Sequence, residues 1–170
     1  MYFYKMKYLY IARHAKSSWE DFTLPDHDRP VLEKGKKKTA KVADTLKRKK
    51  ILPDLIISST ATRARQTALI LAEKLGYPVE NIRYERNVYV AGSDDIFNDL
   101  YGLDDSLSSV MIVGHNPTLT DFINEHTKKF IDNLPTSAVA AIAYKTKNWQ
   151  DIATSKHKLK FIITPSKLNS

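Results

Sequence analysis

Cysteine is absent from the 170 residues, and that absence removes disulfides, thiolate zinc sites and cysteine nucleophiles together. Internal repeats, low-complexity tracts and long linkers are also missing, so one domain over 1–170 is expected. No apolar run is long enough to span a bilayer. The opening stretch "MYFYKMKYLYIA" is apolar but short, is broken by Lys5 and Lys7, and lacks a small-residue cleavage site. It therefore does not read as a signal peptide. The expectation is a cytoplasmic monomer with no membrane contact.

What is present in excess is positive charge. The chain carries 27 Lys and Arg against 19 Asp and Glu, a net charge of +8 that favours anionic partners. Much of it lies in "EKGKKKTAKVADTLKRKK". There Ala40, Ala43 and Leu46 recur at helical spacing, which makes the lysines the solvated face of a helix. No aromatics interleave with them, so nucleic acid is not the expected partner.

Strand-like and helix-like segments alternate. "KYLYIA" (7–12), "DLIISS" (54–59) and "SVMIV" (109–113) read as strands. "GKKKTAKVADTLKRKK" (35–50) and "TRARQTALILAEKLG" (62–76) read as helices, the second closed by Gly76. "IRYERNVYVAG" looks irregular, and "SDDIFNDLYGL" helical. Pro117 suits the first turn of a helix in "GHNPTLTDFINEH". "SAVAAIAYKT" and "KLKFIIT" form a hairpin with a long loop. The alternation implies an α/β fold, a mostly parallel sheet with helices on both faces.

In such sheets ligands bind beyond the carboxyl ends of the strands. The first strand delivers Arg13 and His14 there, the second delivers Ser58, Ser59, Thr60 and then Arg63, and the third delivers Gly114, His115 and Asn116. Guanidinium forks and helix N-terminal amides on one edge make a pocket for a tetrahedral oxyanion.

Several phosphate chemistries fail on residue pattern. Pro30 stands where a P-loop before Gly35-Lys36 needs glycine. "DHDRP" resembles an aspartate-nucleophile motif but follows the polar "EDFTLP" instead of an apolar strand. Neither His14 nor His115 has a neighbour at metal-ligand spacing, and no Gly-x-Ser-x-Gly elbow exists. Histidine as nucleophile remains. A neutral imidazole attacks phosphorus, and Arg13 and Arg63 are expected to lower the pKa of His14 and stabilise the transition state.

"RHAKSSW" resembles the Arg-His-Gly motif of the histidine phosphatase (phosphoglycerate mutase-like) superfamily, with Ala15 in place of glycine. Ser17 and Trp19 fall where many members carry serine and tryptophan. "DHDRPVLEKGKKKTAKVADTL" is similar to the family's first helical region, "SSTATRARQTA" to its second-arginine motif and "VGHNPTL" to its second-histidine motif. "LPTSAVAAIAY" and "FIITPSKL" resemble the end of the short SixA-like phosphohistidine phosphatase branch. The resemblance implies a three-layer α/β/α sandwich and no metal or organic cofactor. It implies His14 as the phosphorylated nucleophile, with Arg13, Arg63 and His115 clamping the phosphoryl group. Ser17 would add a hydrogen bond, unless it caps the next segment.

Many members also use a carboxylic acid to protonate the leaving oxygen. Glu85 lies in the right region, yet an exposed glutamate pairing with Arg83 or Arg86 is the preferred reading. A missing acid suits phosphohistidine, whose imidazole leaves more readily than an alkoxide. The expected activity is therefore a metal-independent phosphatase acting on phosphohistidine of a protein. Alternatives are a phosphatase for a small phosphate ester and a phosphate-binding module without turnover. A chain this short has no room for lid insertions, so an open pocket is expected, which argues against a mutase. His27, His126 and His157 are taken as surface residues, and Tyr89 and Trp19 as core or rim packing.

Overall fold

Alternate side chains of the first strand point to opposite sides of the sheet, and each side meets its own set of helices. The computed structural model describes residues 5–90 and 92–168. The first four residues of the apolar N-terminal segment, and Ala91 of "IRYERNVYVAG", lie outside the described residues. In chain order the elements are β1 (Lys7–Arg13), α1 (Glu33–Arg48), β2 (Leu55–Ser59), α2 (Thr62–Leu75), β3 (Arg83–Glu85), α3 (Arg86–Val90), α4 (Ser93–Tyr101), β4 (Ser109–Gly114), α5 (Thr118–His126), β5 (Val139–Tyr144) and β6 (His157–Ile163).

The sheet order is β3-β2-β4-β1-β5-β6. The β3–β2, β2–β4 and β4–β1 pairs are parallel, while β5 runs antiparallel to both β1 and β6. Only β5 opposes the common direction, so the mostly parallel sheet expected from the sequence is present, with β5–β6 as the hairpin. Leu9 and Ile11 of β1 pack with Leu100, Phe122 and Ile123 of α4 and α5. Tyr10 and Ala12 pack with Val42, Leu46, Ala68 and Leu71 of α1 and α2. The result is the three-layer sandwich.

The lysine-rich segment buries Gly35, Thr39, Val42, Ala43 and Leu46, while Lys34, Lys37 and Lys38 stay exposed, as the helical reading requires. Gly76 closes α2 in the left-handed conformation at φ 78°, where a side chain would be strained. Pro117 stands one residue earlier than expected, as the cap before α5. "IRYERNVYV" is not irregular. It holds β3 and α3, of three and five residues, too short for periodicity to reveal. Among the described residues no helix is long and apolar enough to cross a membrane.

Candidate active site

The registers β1–β4 and β2–β4 bring three strand ends to one edge. Arg13 lies opposite Gly114, and Ser58 lies opposite Val113. His14, immediately past β1, and His115, immediately past β4, come together with ring centroids 5.1 Å apart, both buried. Arg63, in the first turn of α2, is buried beside them and its charge bears on both rings. Arg13, His14, Arg63 and His115 thus form one cluster. Among the described residues four buried side-chain polar atoms lack a hydrogen-bond partner, and three of them, Arg13 Nε, Arg63 Nε and His115 Nδ1, belong to it. Buried donors without acceptors are costly and uncommon, and a bound anion would supply the acceptors that these atoms lack.

The His14 tautomer follows from its partner. His14 Nδ1 lies 2.7 Å from the Ala15 carbonyl oxygen, which can only accept, so Nδ1 carries the proton and Nε2 keeps its lone pair. His115 Nε2 lies 2.7 Å from Ser59 Oγ. That hydroxyl also accepts from Ala61 N–H at 3.1 Å, and when it donates to Nε2 the His115 proton sits on the unpartnered Nδ1. Burial, reinforced by the charges of Arg63, Arg13 and Arg29, lowers the His14 pKa to about 4 despite the opposing Ala15 hydrogen bond. Desolvation, then the neighbouring His14 and Arg63, takes His115 to about 3. Both imidazoles are neutral at pH 7. The arginines act in the expected direction, but burial is the larger cause.

Polar contacts from the helices hold the loop after β1. Thr67 of α2 accepts from Ala15 N–H at 2.8 Å, and Gln66 accepts from Val31 N–H at 2.8 Å. Ser137 N–H is shared between the carbonyls of Arg13 and His14, each at 3.2 Å. Thr39 of α1 meets the Ser137 hydroxyl at 2.8 Å, and Arg13 Nη1 donates to the Leu134 carbonyl at 3.0 Å. Gly35 is required by close approach, because a Cβ there would stand 2.8 Å from the Lys16 carbonyl oxygen.

"DHDRP" matters in a way its motif did not suggest. Asp26 Oδ1 accepts from Arg29 Nε and Nη2 at 3.1 and 2.9 Å, and Oδ2 accepts from Arg63 Nη2 at 3.0 Å and Tyr89 OH at 2.8 Å. The Asp26 carbonyl accepts from Arg63 Nη1 at 2.7 Å. Desolvation opposes ionisation of Asp26, but hydrogen bonds from Tyr89, Arg29 and Arg63 prevail and hold its carboxyl at about 2. Asp26 therefore fixes the orientation of Arg63 as a permanent anion.

Ser17 is buried and its hydroxyl accepts from Arg29 Nη1 at 2.7 Å, so it pins Arg29 and does not cap a helix. Ser58 turns to the Ser59 carbonyl. His27 is not a free surface residue. It bonds Thr60 Oγ1 at 2.9 Å and meets Tyr89 edge-on at 4.9 Å, while Tyr89 in turn meets His115 at 5.4 Å. Tyr89 thus lines the site. His126, far along α5, is half-buried edge-on to Phe97 and Phe122, contrary to the surface reading, whereas His157 is exposed. Trp19 is exposed, with the Arg29 guanidinium stacked 3.5 Å from its ring centroid. Glu85 pairs with Arg83 at 2.7 Å, as preferred from the sequence. Among the described residues no three His, Asp or Glu side chains gather into a metal-ligand set.

Comparison with known proteins agrees with this geometry. A profile of the histidine phosphatase superfamily (branch 1) matches residues 9–84. An uncharacterized chloroplastic protein of Arabidopsis thaliana is 37% identical over 117 residues, covering 64% of this chain and 53% of its own length. The chain spans 53% of the length of this relative and 63% of an uncharacterized Mycobacterium tuberculosis protein that is 32% identical over 106 residues. A protein assigned as the phosphohistidine phosphatase SixA of Agrobacterium tumefaciens superposes with a TM-score of 0.78 at 27% identity, covering 94% of this chain and 98% of its own. The protein histidine phosphatase SixA, solved with tungstate, superposes with a TM-score of 0.81 at 19% identity, over 95% of this chain and 99% of its own. A profile match running from the first strand through the third, joined to near-complete overlap with SixA structures, makes the chain similar in sequence to the histidine phosphatase superfamily and similar in fold to its SixA proteins.

Proposed function

We propose that the protein is a phosphatase that uses His14 as its nucleophile and removes the phosphoryl group from phosphohistidine on a protein. One observation carries this reading: the Ala15 carbonyl holds the Nδ1 proton of a neutral His14, leaving the Nε2 lone pair free beside His115 and two arginines with unpartnered buried donors. In the proposed cycle Nε2 attacks phosphorus in line with the P–N bond of the substrate. That bond breaks, and the substrate imidazole leaves with the electron pair and takes up a proton from solvent. Arg13, Arg63 and the His115 Nδ1–H donate to the equatorial oxygens, and the Ser17 hydroxyl, accepting from Arg29, has its own proton to add. Water then attacks the phosphohistidine. The P–Nε2 bond returns its electrons to the ring, and inorganic phosphate leaves.

Two side chains favour a phosphoramidate over an alkyl phosphate. Asp26, the carboxyl nearest the clamp by its bonds to Arg63, is held ionised and has no proton to give at neutral pH. Glu85 is engaged by Arg83. A leaving imidazole needs less protonation than an alkoxide, so such a site is suited to P–N cleavage. The tungstate in the SixA structure is a tetrahedral oxyanion of the kind this cluster would hold. The test is a turnover comparison between a phosphohistidine-bearing protein and a panel of sugar and nucleotide phosphates. Preference for the phosphohistidine protein supports the reading. Preference for alkyl phosphates, abolished by Glu85→Gln, would replace it with a small-ester phosphatase.

A further inference from the structure

Two features of the rim beside His14 serve neither the core nor the phosphate cluster. The first is a group of lysines. Leu32 N–H donates to the Lys16 carbonyl at 2.9 Å, so α1 begins directly against the loop that carries the nucleophile. Lys34 and Lys38 stand one turn apart on the exposed face of that helix, and Lys16 is exposed beside them. The Lys34 ammonium lies near enough to that of Lys16 for repulsion to lower its pKa, with Lys38 adding to the effect. Glu33, the neighbouring carboxylate in sequence, turns instead to Lys36 at 2.9 Å.

The second feature is apolar. Among the described residues seven large hydrophobic side chains are exposed, and three of them, Trp19 at 67%, Phe22 at 92% and Leu24 at 38%, share the short loop between Ser17 and Asp26. This loop is tied to the site. Arg29, stacked on Trp19, is buried and bonded to both Ser17 and Asp26.

We infer that this rim docks an acidic protein, with Lys16, Lys34 and Lys38 meeting its carboxylates and Trp19, Phe22 and Leu24 packing on its apolar surface. The inference rests on the phosphatase reading and adds where the phosphoprotein sits. Charge complementarity selects an acidic partner, and exposed aromatics flanked by polar groups are the composition of protein interfaces. Nucleic acid fits less well. One face of Trp19 is already covered by Arg29, so it offers less of a platform for stacking bases.

The experiment measures kcat/KM on two substrates. One is a small acidic protein domain phosphorylated on one histidine with phosphoramidate. The other is free phosphohistidine. In Lys34→Glu/Lys38→Glu, kcat/KM on the protein substrate falls by about tenfold, mainly through KM, and its salt dependence flattens. Phe22→Ser lowers it by about fivefold. Free phosphohistidine is hydrolysed by both variants at the wild-type rate, which also shows that they fold. Unchanged turnover of the phosphoprotein by both variants overturns the docking surface while leaving the phosphatase reading intact. So does equal turnover of a probe whose acidic face has been reversed to lysine, or stronger competition by a DNA oligonucleotide than by the unphosphorylated acidic domain. Wild-type protein inactive on both substrates removes the phosphatase reading and this inference with it.

Discussion

Thr67 Oγ1 accepts from Ala15 N–H at 2.8 Å and donates to the carbonyl of Arg63 at 2.7 Å. One buried hydroxyl on α2 thus ties the backbone beside His14 to the backbone of Arg63. Thr67→Val keeps the shape but leaves Ala15 N–H buried and unpaired. The expected cost is about 1–3 kcal/mol in stability. Denaturant unfolding measures it, and the rate of phosphoenzyme formation should fall with it as His14 and Arg63 lose their common anchor.

Gly35→Ala tests the close approach of α1 to the same loop. Helix propensity alone favours the variant by about 1 kcal/mol. The new Cβ, however, would stand 2.8 Å from the Lys16 carbonyl oxygen and 3.1 Å from its nitrogen, both backbone atoms that cannot step aside cheaply. The melting temperature and the turnover rate should both drop. A more stable variant with full activity would show that the loop has room to move.

The acid limb of activity should reflect a buried imidazole. His14 at about 4 and His115 at about 3 are depressed from 6.5, so between these values and 6.5 the unfolded chain binds protons that the folded chain does not. Stability is held in full above pH 6.5 and is lost as pH falls toward 4, at up to roughly 1.4 kcal/mol per pH unit for each histidine. The rate of phosphoryl transfer to the enzyme, measured where the protein remains folded, should stay level from pH 7 to about 5. An inflection near 6.5 would mean that His14 is not desolvated.

The cluster of Arg13, His14, Arg63 and His115 was legible because each stands at the end of a strongly patterned element. Arg13 and His14 end an apolar strand, His115 follows another, and Arg63 opens an amphipathic helix. Asp26 and Tyr89 gave no comparable signal. Asp26 sits in a polar loop, and its Asp-x-x-Arg spacing with Arg29 occurs on many surfaces. Only the fold brings it within 3.0 Å of Arg63 and 2.8 Å of Tyr89. Thr67 and Gln66 read as ordinary helix positions, since nothing local shows that their partners, Ala15 N–H and Val31 N–H, come from 52 and 35 residues away. His126 was misread because its aromatic neighbours, Phe97 above all, come from another helix.

Asp26→Asn separates orientation from charge. Removing the anion takes away repulsion toward a bound phosphate but also releases Arg63 and Arg29 from their ion pairs at 3.0 and 2.9 Å. Product inhibition by inorganic phosphate should tighten several-fold, by roughly the ~1 kcal/mol expected of one partly solvated charge. Turnover should fall, because Arg63 is then no longer held in one orientation.

Arg63→Ala should lower kcat by about 10²–10³, the loss typical of one transition-state donor, while His14→Ala should abolish turnover. The most direct measurement is a trap of the covalent intermediate: enzyme mixed with phosphohistidine-bearing protein, quenched in alkali and mapped by mass spectrometry. The account predicts one phosphoryl group on His14, labile to acid and absent in His14→Asn. Turnover of the substrate with no phosphorylated His14, or with the phosphoryl group on another residue, would contradict it.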